Sequence, residues 1–454
     1  MKPNILFLII DSLRYDKIFG KNRKNKTPNL DSLINKGTFF SQTISTSDQT
    51  GASLGSVFTG VFPIKSGKTQ FNFNSNTLTF FDALKKEGYN RYSFVPDHDF
   101  FQTVTSNFEH NTVYDFTKKD KWLRLHGGLG KQIIDELKSK KMKEPWIYFI
   151  HLMDIRPPFQ VPAEYDTNEF GENKYERLVS YIDTWIGKFF NEINLKNTLC
   201  LISSDHGEYI PVTDENIKEI PKVQNAITKG TKKLPFLEKV GMKMLINARF
   251  AAQTYRKEKL KRTLTPYEMR SLNSRSTLYL YDELIRVPLL FVGFGLKENV
   301  IINEMVRHVD VFPTILDMIN QPQKESDVDG RSLTPLIEGK NFEEKPAYIE
   351  VGINLSQLID KKNPDTTSKV IGIRTSDYKY FRLRNDSSKH VFLFDLKNDP
   401  LEEKNIAESH PEIIQKMENI LAELKQNSNK NESSTLSDEE IKKAKKALLD
   451  LGYI

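Results

Sequence analysis

One cysteine in 454 residues rules out a disulfide-stapled scaffold, and that residue, Cys200, sits inside an apolar β-rich run where it reads as a small core hydrophobe. No apolar run approaches the roughly 20 residues that a membrane-spanning helix needs. The first run, Asn4 to Ile10, has too few apolar residues for a secretory h-region and no small-residue cleavage site after it. It therefore reads as a strand, and the chain as a cytoplasmic protein. Also missing are an internal repeat, a glycine-rich nucleotide loop and any nucleic-acid-binding module, so no nucleic-acid partner is expected. What remains is long enough for one large α/β domain and a smaller one. The formal charge is +6, yet Lys229 to Arg275 alone holds thirteen Lys or Arg against three acids, so the rest of the chain is net acidic.

The chemistry concentrates where apolar runs stop. Thr198 to Ile202 has the pattern of a buried strand and ends at Ser203-Ser204-Asp205-His206-Gly207-Glu208. A carboxylate and an imidazole at a strand's C-terminal end offer oxygen and nitrogen donors suited to Zn or Mn, at the edge where open α/β sheets bind ligands. The alternative is a surface turn, since Asp-His-Gly is good turn chemistry. The run from Asn4 ends on Asp11, which the same reasoning places at the same edge. Thr50 precedes a short helical stretch, Ala52 to Gly60, and a hydroxyl there faces free N–H groups that stabilise a bound anion. Trp146 to His151 is a further strand, delivering His151, Asp154 and Arg156. Arg156 suits bidentate contact with a phosphate or sulfate oxygen. His151 is the nearest candidate proton donor, the alternative being a structural histidine at a strand end.

In chain order, Thr27-Pro28-Asn29-Leu30-Asp31, Thr59-Gly60, Asp205-His206-Gly207, Tyr281-Asp282-Glu283 with Arg286-Val287-Pro288, and His308-Val309-Asp310 with Pro313-Thr314-Ile315-Leu316 form a recognisable series. Asp329-Gly330-Arg331-Ser332-Leu333 and Phe394-Asp395-Leu396 with Asp399-Pro400 extend it. Over almost its whole length the chain resembles the sulfatase-like branch of the alkaline phosphatase superfamily. That resemblance implies an α/β fold, with an alkaline-phosphatase-like, mostly parallel sheet flanked by helices and a smaller C-terminal antiparallel α+β subdomain. It implies a catalytic domain over 1–342 carrying a basic insertion at 211–275 and a C-terminal subdomain over 343–425; the residues themselves mark a polar linker at 426–436 and, from the capping box of Ser437 and Glu440, a last helix at 437–454. It also implies one divalent ion (Mn, Mg, Ca or Zn) held by Asp11, Thr50, Asp205 and His206, with His308, Asp310 and Asp154 in support.

The departures from the family are informative. Sulfatases carry a Cys or Ser, matured to formylglycine, in a Cys-x-Pro-Ser-Arg segment ahead of Thr-Gly. Counting back from Thr59-Gly60 lands on Thr50, with Ala52 and Leu54 where the Pro and Arg would stand. Threonine cannot be oxidised to that aldehyde, so no formylglycine is expected. A threonine sulfate cannot collapse by eliminating sulfate, whereas a threonine phosphate can be attacked in line at phosphorus. At this position the chain is similar to the phosphoethanolamine and phosphoglycerol transferases. Arg156 stands where the family motif Asp-x-His-x-Pro-Phe has its His.

The expectation is a metal-dependent hydrolase or transferase acting on a phosphate (or sulfate) ester, a phosphodiester above all, through Thr50 with help from Arg156 and His151. A formylglycine-independent sulfuric ester hydrolase and a non-catalytic binding protein that kept the fold are the alternatives. The expected partner is an anionic ester such as a lipid headgroup or a glycan. Within 235–262, Leu237, Val240, Met244, Ala248, Ala251 and Tyr255 follow helical spacing, with Lys239, Lys243 and Arg256 off the stripe. This reads either as a solvated helical lid or as a basic amphipathic helix making peripheral contact with an anionic membrane or a polyanionic substrate.

Overall fold

The computed structural model describes residues 2–20, 23–66, 73, 77–116, 125–157, 159–210, 262–271, 278–322, 328–352 and 370–426. The basic stretch predicted at 235–262, apart from its last residue, and the linker and final helix predicted beyond 426 lie outside them. The chain forms two compact units, Met1–Glu208 with Leu278–Ile454, and Tyr209–Thr277. In the second unit the described residues include a short helix, Pro266–Arg270, started by a capping box between Thr265 and Glu268. Among the described residues no helix is long and apolar enough to cross a membrane.

The first unit is built on an eight-stranded sheet and a four-stranded one. The large sheet runs β4 (His110–Tyr114), β3 (Asn90–Pro96), β5 (Trp146–Leu152), β1 (Asn4–Ile10), β6 (Thr198–Ser203), β7 (Arg286–Gly293), β2 (Gly37–Ile44) and β8 (Val300–Arg307). From β4 to β6 the pairs are parallel, β7 runs antiparallel to both its neighbours, and β2 pairs parallel with β8. β1, β5 and β6 are buried on both faces, which is why they read as continuous apolar runs and not as alternating ones. Their register, Ile9 beside His151 and Ser203, brings three strand ends to one edge.

The helix Thr50–Thr59 is buried along nearly its whole length and ends at Gly60, whose φ of 70° suits glycine. A β-carbon at Gly60 would also lie 2.7 Å from the Phe312 ring. Phe58 anchors the helix, its ring 5.2 to 6.2 Å from those of Phe80, Phe81, Phe100 and Phe149. The small sheet, β9 (Ala347–Glu350), β10 (Val370–Arg374), β11 (Tyr378–Leu383) and β12 (Phe392–Asp395), is wholly antiparallel. Ile371, Ile373, Tyr380 and Leu393 pack with Met417 and Leu421 of the helix Pro411–Gln426. The two sheets meet through a bridge from Ser47 to Glu350, and the Glu350 N–H donates to Thr46 O at 2.8 Å.

Candidate active site

Three strand ends and one helix start assemble the site. β1 ends at Ile10, and the Asp11 N–H donates to Leu152 O of β5 at 2.8 Å, which fixes the first carboxylate beside the end of β5. Ser12 follows with φ 66°, an uncommon conformation for a residue other than glycine. Its N–H donates to Asp205 Oδ1 at 3.2 Å and its hydroxyl to Asp11 Oδ1 at 2.6 Å, so this turn ties β1 to β6. The helix Thr50–Thr59 supplies its first residue. Thr50 Oγ1 lies 3.4 Å from Asp11 Oδ2 and 3.4 Å from His206 Nε2.

Asp205 and His206 are almost fully buried, which excludes the surface-turn reading of Asp-His-Gly. The segment leaves β6 and turns inward, held by Ser204 Oγ donating to His206 O at 2.6 Å and by the His206 N–H on Asp205 Oδ1 at 2.9 Å. His206 Nδ1 donates to Gly207 O at 2.8 Å, which turns Nε2 toward Thr50. Asp11, His151, Asp205, His206 and His308 are all buried, whereas Thr50 is only half-buried. The site therefore meets solvent at the threonine.

Two buried carboxylates at one point need cations or donors. His206 Nε2 is 3.4 Å and His151 Nε2 3.9 Å from Asp205 Oδ2. Burial alone would raise the Asp205 pKa, but the His206 and His151 rings outweigh it and hold the carboxyl below the ordinary carboxylate range. Asp205 Oδ2 and both ring nitrogens of His151 have no hydrogen-bond partner. Ligand atoms of Asp11, His151 and Asp205 lie within 4.8 Å of one another. Unpartnered oxygen and nitrogen atoms converging among buried residues fit a divalent ion of the Zn or Mn type. His151 therefore falls inside the ligand cluster, its ring tilted 49° against that of Phe101 with ring centres 4.5 Å apart.

The remaining predicted residues stand further out. Arg156 is half-buried, its guanidinium carbon 6.0 Å from the Phe116 ring centre; desolvation first and the Arg156 charge second lower the pKa of the half-buried His98. Asp154 accepts the Leu125 N–H at 3.1 Å and so holds a loop. Asp310 pairs with Arg307 at 2.7 Å and accepts the Arg331 N–H at 3.0 Å, bracing the turn that carries His308. His308 faces the site through Ser53, with Nδ1 3.1 Å from Ser53 Oγ. Burial pushes its imidazole down to about 4. Ser45 and Ser53, which sequence reasoning passed over, both donate to Asp205 O, at 2.7 and 2.5 Å. A helical signal for Ser53 existed: three residues after Thr50, it shares that residue's face. Cys200 lies within β6, fully buried and with its pKa raised by burial, which leaves it inert.

Comparison with known proteins agrees with this architecture. The profile described as N-sulphoglucosamine sulphohydrolase, C-terminal, matches residues 275–429. The arylsulfatase K of Gallus gallus is 31% identical over 143 residues, which cover 31% of this chain and 26% of that protein. The chain thus aligns with about a quarter of the length of such curated relatives. The phosphonate monoester hydrolase of Agrobacterium radiobacter shares the fold with a TM-score of 0.67 at 16% identity, over 94% of this chain and 96% of that one. The phosphonate monoester hydrolase of Silicibacter pomeroyi gives a TM-score of 0.65 at 16% identity, over 96% and 98%. A further structure, solved with its substrate D-glucosamine-2-N,6-O-disulfate, gives 0.64 at 16% identity, over 95% and 99%. The sulfatase profile matches residues 3–321, some two thirds of the sequence and the whole of the site, and the chain belongs to the sulfatase family.

Proposed function

We propose that the protein is a metal-dependent hydrolase or transferase of an anionic phosphate ester, a phosphodiester above all, with Thr50 as the nucleophile. The observation that carries this reading is the placement of Thr50 Oγ1: half-exposed, at the first residue of a helix, and 3.4 Å from both Asp11 Oδ2 and His206 Nε2. A divalent ion held by Asp11, Asp205 and His206, with His151 beside them, would lower the hydroxyl's pKa and neutralise charge on the ester oxygens. The Asp11 carboxylate takes the threonine proton through Oδ2 as Oγ1 bonds to phosphorus, and that proton passes to the alkoxide oxygen as its bond to phosphorus breaks. Water or an acceptor hydroxyl then attacks phosphorus, its proton passing by the same carboxylate to Oγ1 as the phosphorus–Oγ1 bond breaks. The free N–H groups of the helix start stabilise charge on the transferring oxygens.

A sulfate ester is the second reading, favoured by the family and by the relatives named as arylsulfatase K. Thr50 weighs against it, because its β-carbon bears a single oxygen and cannot expel sulfate as a formylglycine hydrate does. The experiment is metal analysis of the purified protein followed by aryl sulfate, phosphomonoester, phosphodiester and phosphonate substrates. We expect stoichiometric metal that disappears in the double variant Asp205→Ala, His206→Ala, and turnover of phosphate esters ahead of sulfates. Full metal occupancy in that variant sinks the site assignment. A protein that turns over only aryl sulfates sinks the choice of phosphate.

A further inference from the structure

A charged cluster buried outside the site bears on it. Lys379 of β11 is fully buried, with its ammonium 2.7 Å from Asp282 Oδ1 and 2.5 Å from Glu402 Oε1. Arg374 of β10 reaches the other oxygen of Asp282 at 3.2 Å, and the Asp282 N–H donates to Glu402 Oε2 at 2.7 Å. The charge of Arg286 also bears on Asp282, and together these cations hold its carboxyl below the ordinary range against the pull of burial. Two carboxylates and the cations around them are thus gathered on the turn Asp282–Ile285, just ahead of β7.

That turn is in direct contact with both arms of the active site. Leu284 O accepts the Gly207 N–H at 2.8 Å, and Ile285 O accepts the Ser45 N–H at 2.7 Å. Glu283 O lies so close that a β-carbon on residue 207 would sit 2.0 Å from it, so only glycine lets the two backbones meet. Gly207 O in turn accepts a hydrogen bond from His206 Nδ1, and Ser45 Oγ donates to Asp205 O. A shift of the turn therefore moves the His206 ring and the Asp205 backbone with it. We propose that Lys379 is a positioning residue for Asp205 and His206, acting from the small sheet through Asp282 and the Leu284 carbonyl. Stripping one charge from such a buried group leaves another unpaired, so a change confined to stability would be uninformative.

The functional consequence rests on the reading of Asp205 and His206 as metal ligands, so the test separates the two. The charge-balanced variant Lys379→Met, Glu402→Gln is compared with wild type by hydrogen–deuterium exchange resolved at the Gly207 amide and by Mn²⁺ titration. Asp282→Asn, which keeps the side chain's shape, is read the same way and decides the matter where the double variant does not fold. We expect Gly207 exchange to accelerate by about tenfold or more while β1 amides are unchanged, as a local opening requires. We also expect Mn²⁺ to bind about tenfold more weakly, the scale seen when groups supporting metal ligands are lost. Unchanged Gly207 exchange in a folded variant overturns the proposal whatever the metal does. Accelerated exchange in a protein whose wild type takes up no Mn²⁺ supports the coupling and overturns the metal reading instead.

Discussion

In the proposed reaction Thr50 is the nucleophile, half-buried and with Oγ1 3.4 Å from Asp11 Oδ2 and from His206 Nε2. Thr50→Ala should lower kcat/KM on the best phosphate ester by roughly three orders of magnitude or more, the scale of losing a covalent nucleophile. Its circular dichroism and melting should match wild type, since a half-buried hydroxyl supports little packing. Activity equal to wild type would exclude the covalent route. His308 makes a different prediction. Its folded pKa, about 4, lies below its ordinary 6.5, because burial disfavours the charged ring. Below pH 6.5 the unfolded chain takes up a proton that the folded protein refuses until about pH 4. Stability should therefore be full above 6.5 and fall through that window, by up to ~3 kcal/mol. In denaturant titrations, His308→Gln should flatten the acid limb, while an unchanged limb would show that the ring is already charged when folded.

At the level of elements, the helix Thr50–Thr59 works because its two ends are fixed by different means. Its start is set by the bridge of Ser47 to Glu350 and by Gly352 N donating to Asp48 Oδ1 at 2.8 Å. Its last turn is set by Phe58 among four other aromatic rings. Phe58→Ala should cost about 3–5 kcal/mol through lost contacts and the cavity left behind. Chemical denaturation reads that loss directly. A cost below about 1 kcal/mol would mean that the surrounding rings collapse into the space and that the helix is anchored elsewhere. Helix and strand boundaries were largely legible from the sequence. Apolar spacing predicts helices over Phe80 to Glu87 and over Tyr175 to Ile193, and the structure has Phe80–Lys86 and Lys174–Phe190. Thr50 was read as lying just ahead of its helix, and it is in fact the first helical residue, with Gln49 as the cap. The apolar spacing had no strong marker there, because Thr50 and Gly51 are poor helix formers whose place is set by tertiary contacts.

For the whole molecule, the distribution of charge sets the prediction. The excess of positive charge lies in Lys229 to Arg275, between His206 and the turn Asp282–Ile285 in sequence. If the stretch 235–262 meets an anionic lipid surface, the protein should sediment with anionic but not neutral vesicles at low salt. Replacing Lys239, Lys243, Arg256 and Lys257 by Gln should weaken this, each charge contributing ~1 kcal/mol. Salt-sensitive retention on a polyanionic glycan without vesicle sedimentation would point to a glycan, and no binding to either would leave a plain lid. What the sequence determined by itself was local. Apolar runs broken by an acid marked Asp11 and Asp205 as strand ends, and the order of short motifs identified the family. The count back from Thr59-Gly60 placed a threonine where an aldehyde precursor belongs. What only the tertiary structure decided depends on which strands lie side by side. Register set His151 within 3.9 Å of Asp205 and kept Arg156 out against Phe116. Folding brought Ser53 under the Asp205 carbonyl and joined Lys379 to Asp282 across 97 residues. Parallel pairing and the docking of one sheet on another are set by packing between distant segments, and no periodicity within either segment records them.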